Sequence, residues 1–182
     1  DTADSGKLKE RYNGSGATVR GLNAEGRAVF TRWFELQAGV TWQRSRYAEP
    51  EYWSEDKTVP PVRRMFRTPD IYGYFTASLK PLRNFAADVT GTCTGGMLLQ
   101  HMAGSGVERD VAVKTPEFCD MNLRLAYDLR VYKEITLQFY GGVQNLFNAY
   151  QKDFDKGVDR DSGYIYGPSM PRSWFIGAKV SF

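Results

Sequence analysis

Met121-Asn122-Leu123-Arg124-Leu125-Ala126-Tyr127-Asp128-Leu129-Arg130-Val131 decides the fold. Its odd positions are apolar throughout, while the interleaved ones are Asn122, Arg124, Ala126, Asp128 and Arg130. A period of two sends these sets to opposite sides of a pleated strand, one greasy and one charged. The next segment repeats the rule, with Ile135, Leu137, Phe139 and Val143 against Thr136, Gln138, Tyr140 and Gln144. The final one sets Trp174, Ile176, Ala178, Val180 and Phe182 against Ser173, Gly177, Lys179 and Ser181. Upstream, Phe34, Leu36, Ala38, Val40 and Trp42 oppose Glu35, Gln37, Thr41 and Gln43, and further strands read at 22–31, 71–80 and 85–99. About seven strands result, and no stretch carries an apolar stripe at helical spacing with a cap and a stop.

The connections alternate in length. Short turns fall at Thr31 to Trp33, Pro81 to Asn84 and Tyr132 to Glu134, and long polar links at 48–69, 101–117 and 148–171. Short turns on one rim and long loops on the other are the habit of membrane barrels, whose tilted strands need about 9 to 11 residues. Aromatics gather where interfacial girdles would lie: Trp33, Phe34, Phe85, Tyr132 and Phe182 by the short turns, Trp42, Phe118, Phe147 and Trp174 by the long links. The expected fold is all-β, an antiparallel up-and-down transmembrane β-barrel segment. A soluble antiparallel barrel or sandwich is the competing architecture.

Composition agrees and excludes several classes. Aromatics are 14% of the 182 residues and Gly occurs 18 times, which suits strands and turns. Mean hydropathy is -0.48, and no apolar run reaches the roughly 20 residues of a membrane helix. A net charge of +3 from 24 basic and 21 acidic residues, scattered along the chain, names no nucleic-acid partner. Cys93 and Cys119 form no metal-type cluster with His101, the lone histidine. Asp1 opens a polar stretch without a basic-then-apolar leader, so a secreted precursor would have lost its leader and part of the chain would lie upstream.

The C-terminal residues add a resemblance. Gly142-Val143-Gln144-Asn145-Leu146-Phe147-Asn148, then Tyr164-Ile165-Tyr166-Gly167-Pro168 and Pro171-Arg172-Ser173-Trp174-Phe175, ending in Phe182, resemble the closing segment of TonB-dependent outer-membrane receptors. The likeness is close over about the last forty residues. Arg67-Thr68-Pro69-Asp70 and the hairpin at 22–47 follow the family less specifically. The resemblance implies that residues 1–182 are the last part of a barrel of about twenty-two strands, whose plug domain and earlier strands lie elsewhere. It implies the outer membrane of a Gram-negative bacterium, outer-membrane lipid around the wall, the inner-membrane TonB energy-coupling protein as partner, and no enzymatic activity. It also implies that the barrel-assembly machinery reads Trp174, Ile176, Val180 and Phe182 as an assembly signal. The function expected is import of a scarce bulky nutrient, such as a metal chelate, haem, a cobalamin-like molecule or a glycan. A passive porin-like or structural barrel and a soluble β-rich binding module remain the alternatives.

Other motifs admit two readings each. Asp153, Asp155, Asp159 and Asp161 have calcium-loop spacing but miss the EF-hand template, since Gly157 comes one place early and Tyr164 stands in place of the bidentate Glu. The other reading is a solvated loop neutralised by Lys156 and Arg160. Glu25, Arg27, Glu35, Asp88, Arg124, Asp128, Arg130, Gln138 and Lys179 line the polar wall, either guiding substrate or forming a hydrated cross-strand ladder against the plug. In the first link Tyr52, Trp53, Arg63, Arg64 and Phe66 combine aromatics with cations as a ligand-catching loop would, or as an interfacial patch. His101 reads as loop-exposed, a haem ligand being the sharper option. A hairpin centred on 101–117 sets Cys93 and Cys119 about six rungs apart, so no intrachain disulfide is expected; no cofactor is expected either.

Overall fold

Alternation over residues 14–168 and 170–182, which the computed structural model describes, becomes ten strands. They are β1 (Ala17–Thr31), β2 (Phe34–Glu51), β3 (Val62–Arg64), β4 (Ile71–Leu82), β5 (Phe85–Thr94), β6 (Leu98–His101), β7 (Val111–Lys114), β8 (Phe118–Tyr132), β9 (Ile135–Gln144) and β10 (Ser173–Ser181). The fold is all-β and antiparallel. The main sheet runs β1-β2-β4-β5-β8-β9-β10, each strand beside its predecessor, with short β3 added to β2 and the pair β6-β7 separate. This is the expected up-and-down meander of seven long strands.

Three two-residue turns, Arg32-Trp33, Arg83-Asn84 and Lys133-Glu134, close one end. Register slips just before each of them, between Val29 and Thr31, Leu79 and Leu82, and Arg130 and Tyr132. Such bulges increase local twist where strands turn back at a rim. The three long links leave from the opposite end.

Between these ends the register keeps two clean faces. Leu123 opposes Val143 and Val143 opposes Trp174, Leu125 and Ile176 both oppose Gly141, and Leu129 and Val180 both oppose Leu137. The other face aligns Ser78 with Asp88, Asp88 with Arg124, and Asp128 with Gln138 beside Lys179. Nothing in the described molecule covers the apolar face: Trp174 is 76% exposed and Ile176 91%.

Gly and aromatic residues pair across strands on both faces. Gly39 opposes Tyr74, Gly91 opposes Phe75, Gly142 opposes Phe175 and Gly177 opposes Tyr140. A methyl on Gly39 would meet the Tyr74 ring at 2.6 Å, and one on Gly142 the Phe175 ring at 2.7 Å. Each ring occupies the space that a side chain on the glycine would fill.

The β5–β8 hairpin corrects two expectations. Residues 85–99 are not one strand, because Gly95-Gly96 interrupt it and β5 ends at Thr94. Residues 111–114, expected as link, are strand and pair with 98–101, so the hairpin turns earlier than the middle of 101–117 and Cys93 directly opposes Cys119. They form a disulfide, with Cα atoms 4.1 Å apart, on the apolar face. Beyond the glycines the same register resumes: Thr115 N donates to Met97 O at 2.9 Å, and Leu98 to His101 pair with Lys114 to Val111. The second link is thus an extension of the hairpin, with the disulfide at its base. Replacing both cysteines by Ser is expected to lower stability by about 3 kcal/mol in the chain-entropy account. Peptide mapping without reductant should recover Cys93 and Cys119 in one linked species, whereas two labelled thiols in the native protein would contradict the pairing.

Candidate functional site: a folded cap above the polar face

The three links pack into one cap. Leu99 on β6 is fully buried with Tyr164 and Tyr166 of the third link, and Met97, Val113 and Phe118 pack around them. Phe118 belongs to this small core, not to the interfacial girdle assigned to it from sequence, because it sits where β8 emerges under β6-β7. The first link joins through Phe66, which bridges to Leu98, and through Arg67 N donating to Leu98 O at 2.8 Å. Arg64 donates to Gly96 O at 3.0 Å, and Ser54 Oγ to Asp110 at 2.6 Å.

His101 is the buried polar centre of the cap, contrary to the exposed position expected of it. Its own link folds into β6, so the side chain turns inward towards the third link. Nε2 lies 3.0 Å from both carboxylate oxygens of Asp155, and the ring stacks on Tyr164 at 3.7 Å. The engaged nitrogen makes Asp155 the partner of His101, the place a haem iron would need.

The acidic loop directs its carboxylates to separate partners. Asp153 accepts from Tyr164 at 2.9 Å and Tyr166 at 2.7 Å, and Asp161 accepts from Met102 N at 2.7 Å and Gly163 N at 2.8 Å. Lys156 lies over the Phe154 ring and Arg160 donates to Gly157 O. Among the described residues no set of three His, Cys, Asp or Glu side chains converges as metal ligands would. The His101 hydrogen bond holds the Asp155 carboxyl below its ordinary range. Burial opposes ionisation of Asp153, but the Tyr166 and Tyr164 hydroxyls outweigh it and lower its pKa. Burial first, then Asp153, raises both tyrosines, Tyr166 being pushed up to about 12.

The Asn145-Leu146-Phe147-Asn148 motif has a local cause. Asn145 and Asn148 take positive φ of 49° and 54°, a region asparagine tolerates better than most residues. Asn145 is buried: its side chain donates to Ala149 O and Met170 O and accepts from Ala149 N, while its N–H donates to Asn122. Asn148 Oδ1 accepts from Arg172 N at 2.9 Å. The two asparagines therefore tie the start of the third link to its end.

Below the cap, the polar wall is a cross-strand ladder. Arg27 pairs with Glu35, Gln37 donates to Glu25, Asp88 accepts from Ser78 and pairs with Arg124 at 3.5 Å, and Gln138 donates to Asp128 at 2.7 Å. Arg130 and Lys179 share this face, opposite Thr136 and Gln138. A cavity of about 820 Å³ lies between the ladder and the third link, with Asp120, Asn122 and Thr90 on one side and Pro168 and Pro171 on the other. Of the proposed ligand loop, Trp53 packs edge-on against Phe66, Tyr52 lies under Lys57, Arg63 donates to Ala48 O and Arg64 pairs with Asp70. Its cations thus brace the first link. Tyr52, Trp53 and Gln100 line a second hollow of about 540 Å³.

No family model matches the chain, and no curated protein does. Its structure is similar to a crystal structure of the ferric-catecholate import receptor Fiu of E. coli K12 in a closed form, with a TM-score of 0.60 and 19% identity. The likeness covers 89% of this chain and 20% of that one, so the chain spans about a fifth of that receptor's length. At this identity the shared property is the fold, an antiparallel meander like that in a receptor barrel.

Two outcomes follow for the cap. Asn145→Ala strips partners from buried groups and is expected to cost roughly 2 kcal/mol or more, with faster amide exchange at 149–170 in hydrogen-exchange mass spectrometry. Because the folded-state pKa values of Asp153 and Asp155 are lowered, their contribution is full above the ordinary carboxylate range and is lost as pH falls through the lowered values. Exchange at 151–166, corrected for intrinsic rates, should therefore stay constant from pH 7 to about 5 and rise below about 4.

Proposed function

We propose that the chain is a wall segment of a TonB-dependent outer-membrane receptor that imports a scarce bulky nutrient. The carrying observation is the uncovered apolar face, continuous across all seven long strands and opposed by a laddered polar face. From Phe34 to Trp42 the apolar residues of β2 cover roughly 27 Å of strand, or about 21 Å of depth at a ~40° tilt, near the ~25 Å apolar band of such barrels. Lipid is the solvent that matches this surface.

Among the described residues both outer strands, β1 and β10, pair on one side only. In lipid each unpaired backbone group costs several kcal/mol, so further strands must close the wall. The partners in this reading are those the family resemblance implies: earlier barrel strands that complete the closure, a plug over the polar wall, the TonB protein and the barrel-assembly machinery. The folded cap favours a receptor over an open passive pore, because it lies across one end of the polar face and carries hollows of ligand size. A disulfide suits a cell-surface location. The substrate class is set by parts of the wall and plug beyond these residues.

Trp174, Ile176 and Val180 complete the apolar face at its last strand, and together with Phe182, which follows β10, they serve as the assembly signal in this reading. Deleting Phe182 from the full-length product should reduce heat-modifiable, folded barrel in outer-membrane fractions, while Lys179→Ala, on the polar face, should leave it near the wild-type level. Equal assembly of the wild type and the Phe182 deletion would remove the signal role.

A further inference from the structure

We propose that the polar face carries a binding site for a primary ammonium group, with Asp120 as its anionic pole. Asp120 opposes Thr92 near the loop end of β8 and lines the 820 Å³ cavity beneath the third link. Its Oδ1 is sealed from water without a hydrogen bond, and no described residue gives either oxygen a hydrogen bond or an ion pair. The other carboxylates of the wall differ: Glu35 has Arg27, Asp88 has Ser78 and Arg124, and Asp128 has Gln138. A half-buried carboxylate left unpaired is costly, and a cation is the partner that offsets the cost.

The surroundings select the kind of cation. With Oδ1 covered, only Oδ2 opens to the cavity, so a bidentate guanidinium lacks its second acceptor whereas a compact ammonium needs one. Thr90, Asn122 and Gln144, nearest on the same face, supply neutral oxygens for the remaining N–H groups, and Phe175 supplies an aromatic face. Arg124, the cation on the same strand face, stands four residues away, roughly 13 Å along the strand. It is already tied to Asp88 and Gln138, so an anionic ligand has no counterpart at Asp120. The ammonium has two sources: a lysine of a protein segment lying against the polar face, or a free amine solute. The proposal rests on the receptor reading for what lies over that face.

The experiment uses the full-length product in detergent, with heat-modifiable mobility reporting barrel formation independently of the site. Benzylammonium is titrated calorimetrically into wild type, Asp120→Asn and Asp120→Glu, and each is separately treated with a zero-length carbodiimide. That reagent condenses a carboxylate with an amine, losing water, and mass spectrometry locates the amide. Benzylammonium binding that weakens at least about tenfold in Asp120→Asn and recovers in Asp120→Glu assigns the site to a free amine. A cross-link from Asp120 to a lysine of the same product, absent in Asp120→Asn, assigns it to a protein segment. A folded barrel with neither result overturns the proposal, whereas loss of heat-modifiable mobility in wild type overturns the receptor reading instead.

Discussion

A pleated strand has two faces, and each long strand of this chain gives one of them to apolar side chains that no other described element covers. The whole architecture depends on that alternation staying in phase across the hydrogen-bonded ladder, since a one-residue slip would bring Arg124 to the face of Leu125. The register slips in the main sheet beside the short turns, just outside the band where the two faces must remain separate. Within the band, Gly and ring pairs such as Gly142 with Phe175 keep the backbone covered without disturbing register. On the opposite face, charges are satisfied across strands rather than along them, as in Asp88 with Arg124.

The loop end obeys a different physics. There the chain is polar, and it gains a fixed shape from one buried cluster joining the β6–β7 extension to the third link. Leu99 and the two tyrosines supply the small apolar core, while His101 and the carboxylates of Asp153 and Asp155 satisfy one another's surroundings. Asn145 closes the base of the third link and the Cys93–Cys119 bridge closes the base of the second. A cap braced at its base and through its centre holds its hollows open at defined positions over the polar wall.

Much of this was legible in the residues and some was not, for physical reasons. Met121 to Val131 announces its strand because eleven alternating side chains admit no helical reading. The strands, the short turns and the two faces all follow from such local periodicity. Register between strands is a pairing property, and a long link hides it. Gly95-Gly96 marks where β5 ends, but the hairpin centre, and with it the disulfide, is set by Val111–Lys114 pairing with Leu98–His101, a run too short and too embedded in a polar link for its alternation to declare a strand. His101 and Asp155 are far apart in the chain, and a lone histidine in a polar stretch carries no mark of the partner that buries it. Asn145 and Asn148 were visible as a family-like motif, but only the backbone shows that left-handed geometry and link closure require them.

The central claim, that the apolar face is a lipid face, can be tested with the four tryptophans the chain already contains. Trp42 and Trp174 project from the apolar face, Trp33 marks the turn end, and Trp53 lies in the cap against Phe66. Variants of the full-length product retaining one of these residues, with other tryptophans replaced by Phe, can be placed in bilayers containing lipids brominated along the acyl chain. The account predicts strong fluorescence quenching of Trp42 and Trp174 and little of Trp53. Equal, weak quenching of all three in a protein that retains its β-sheet spectrum would contradict it.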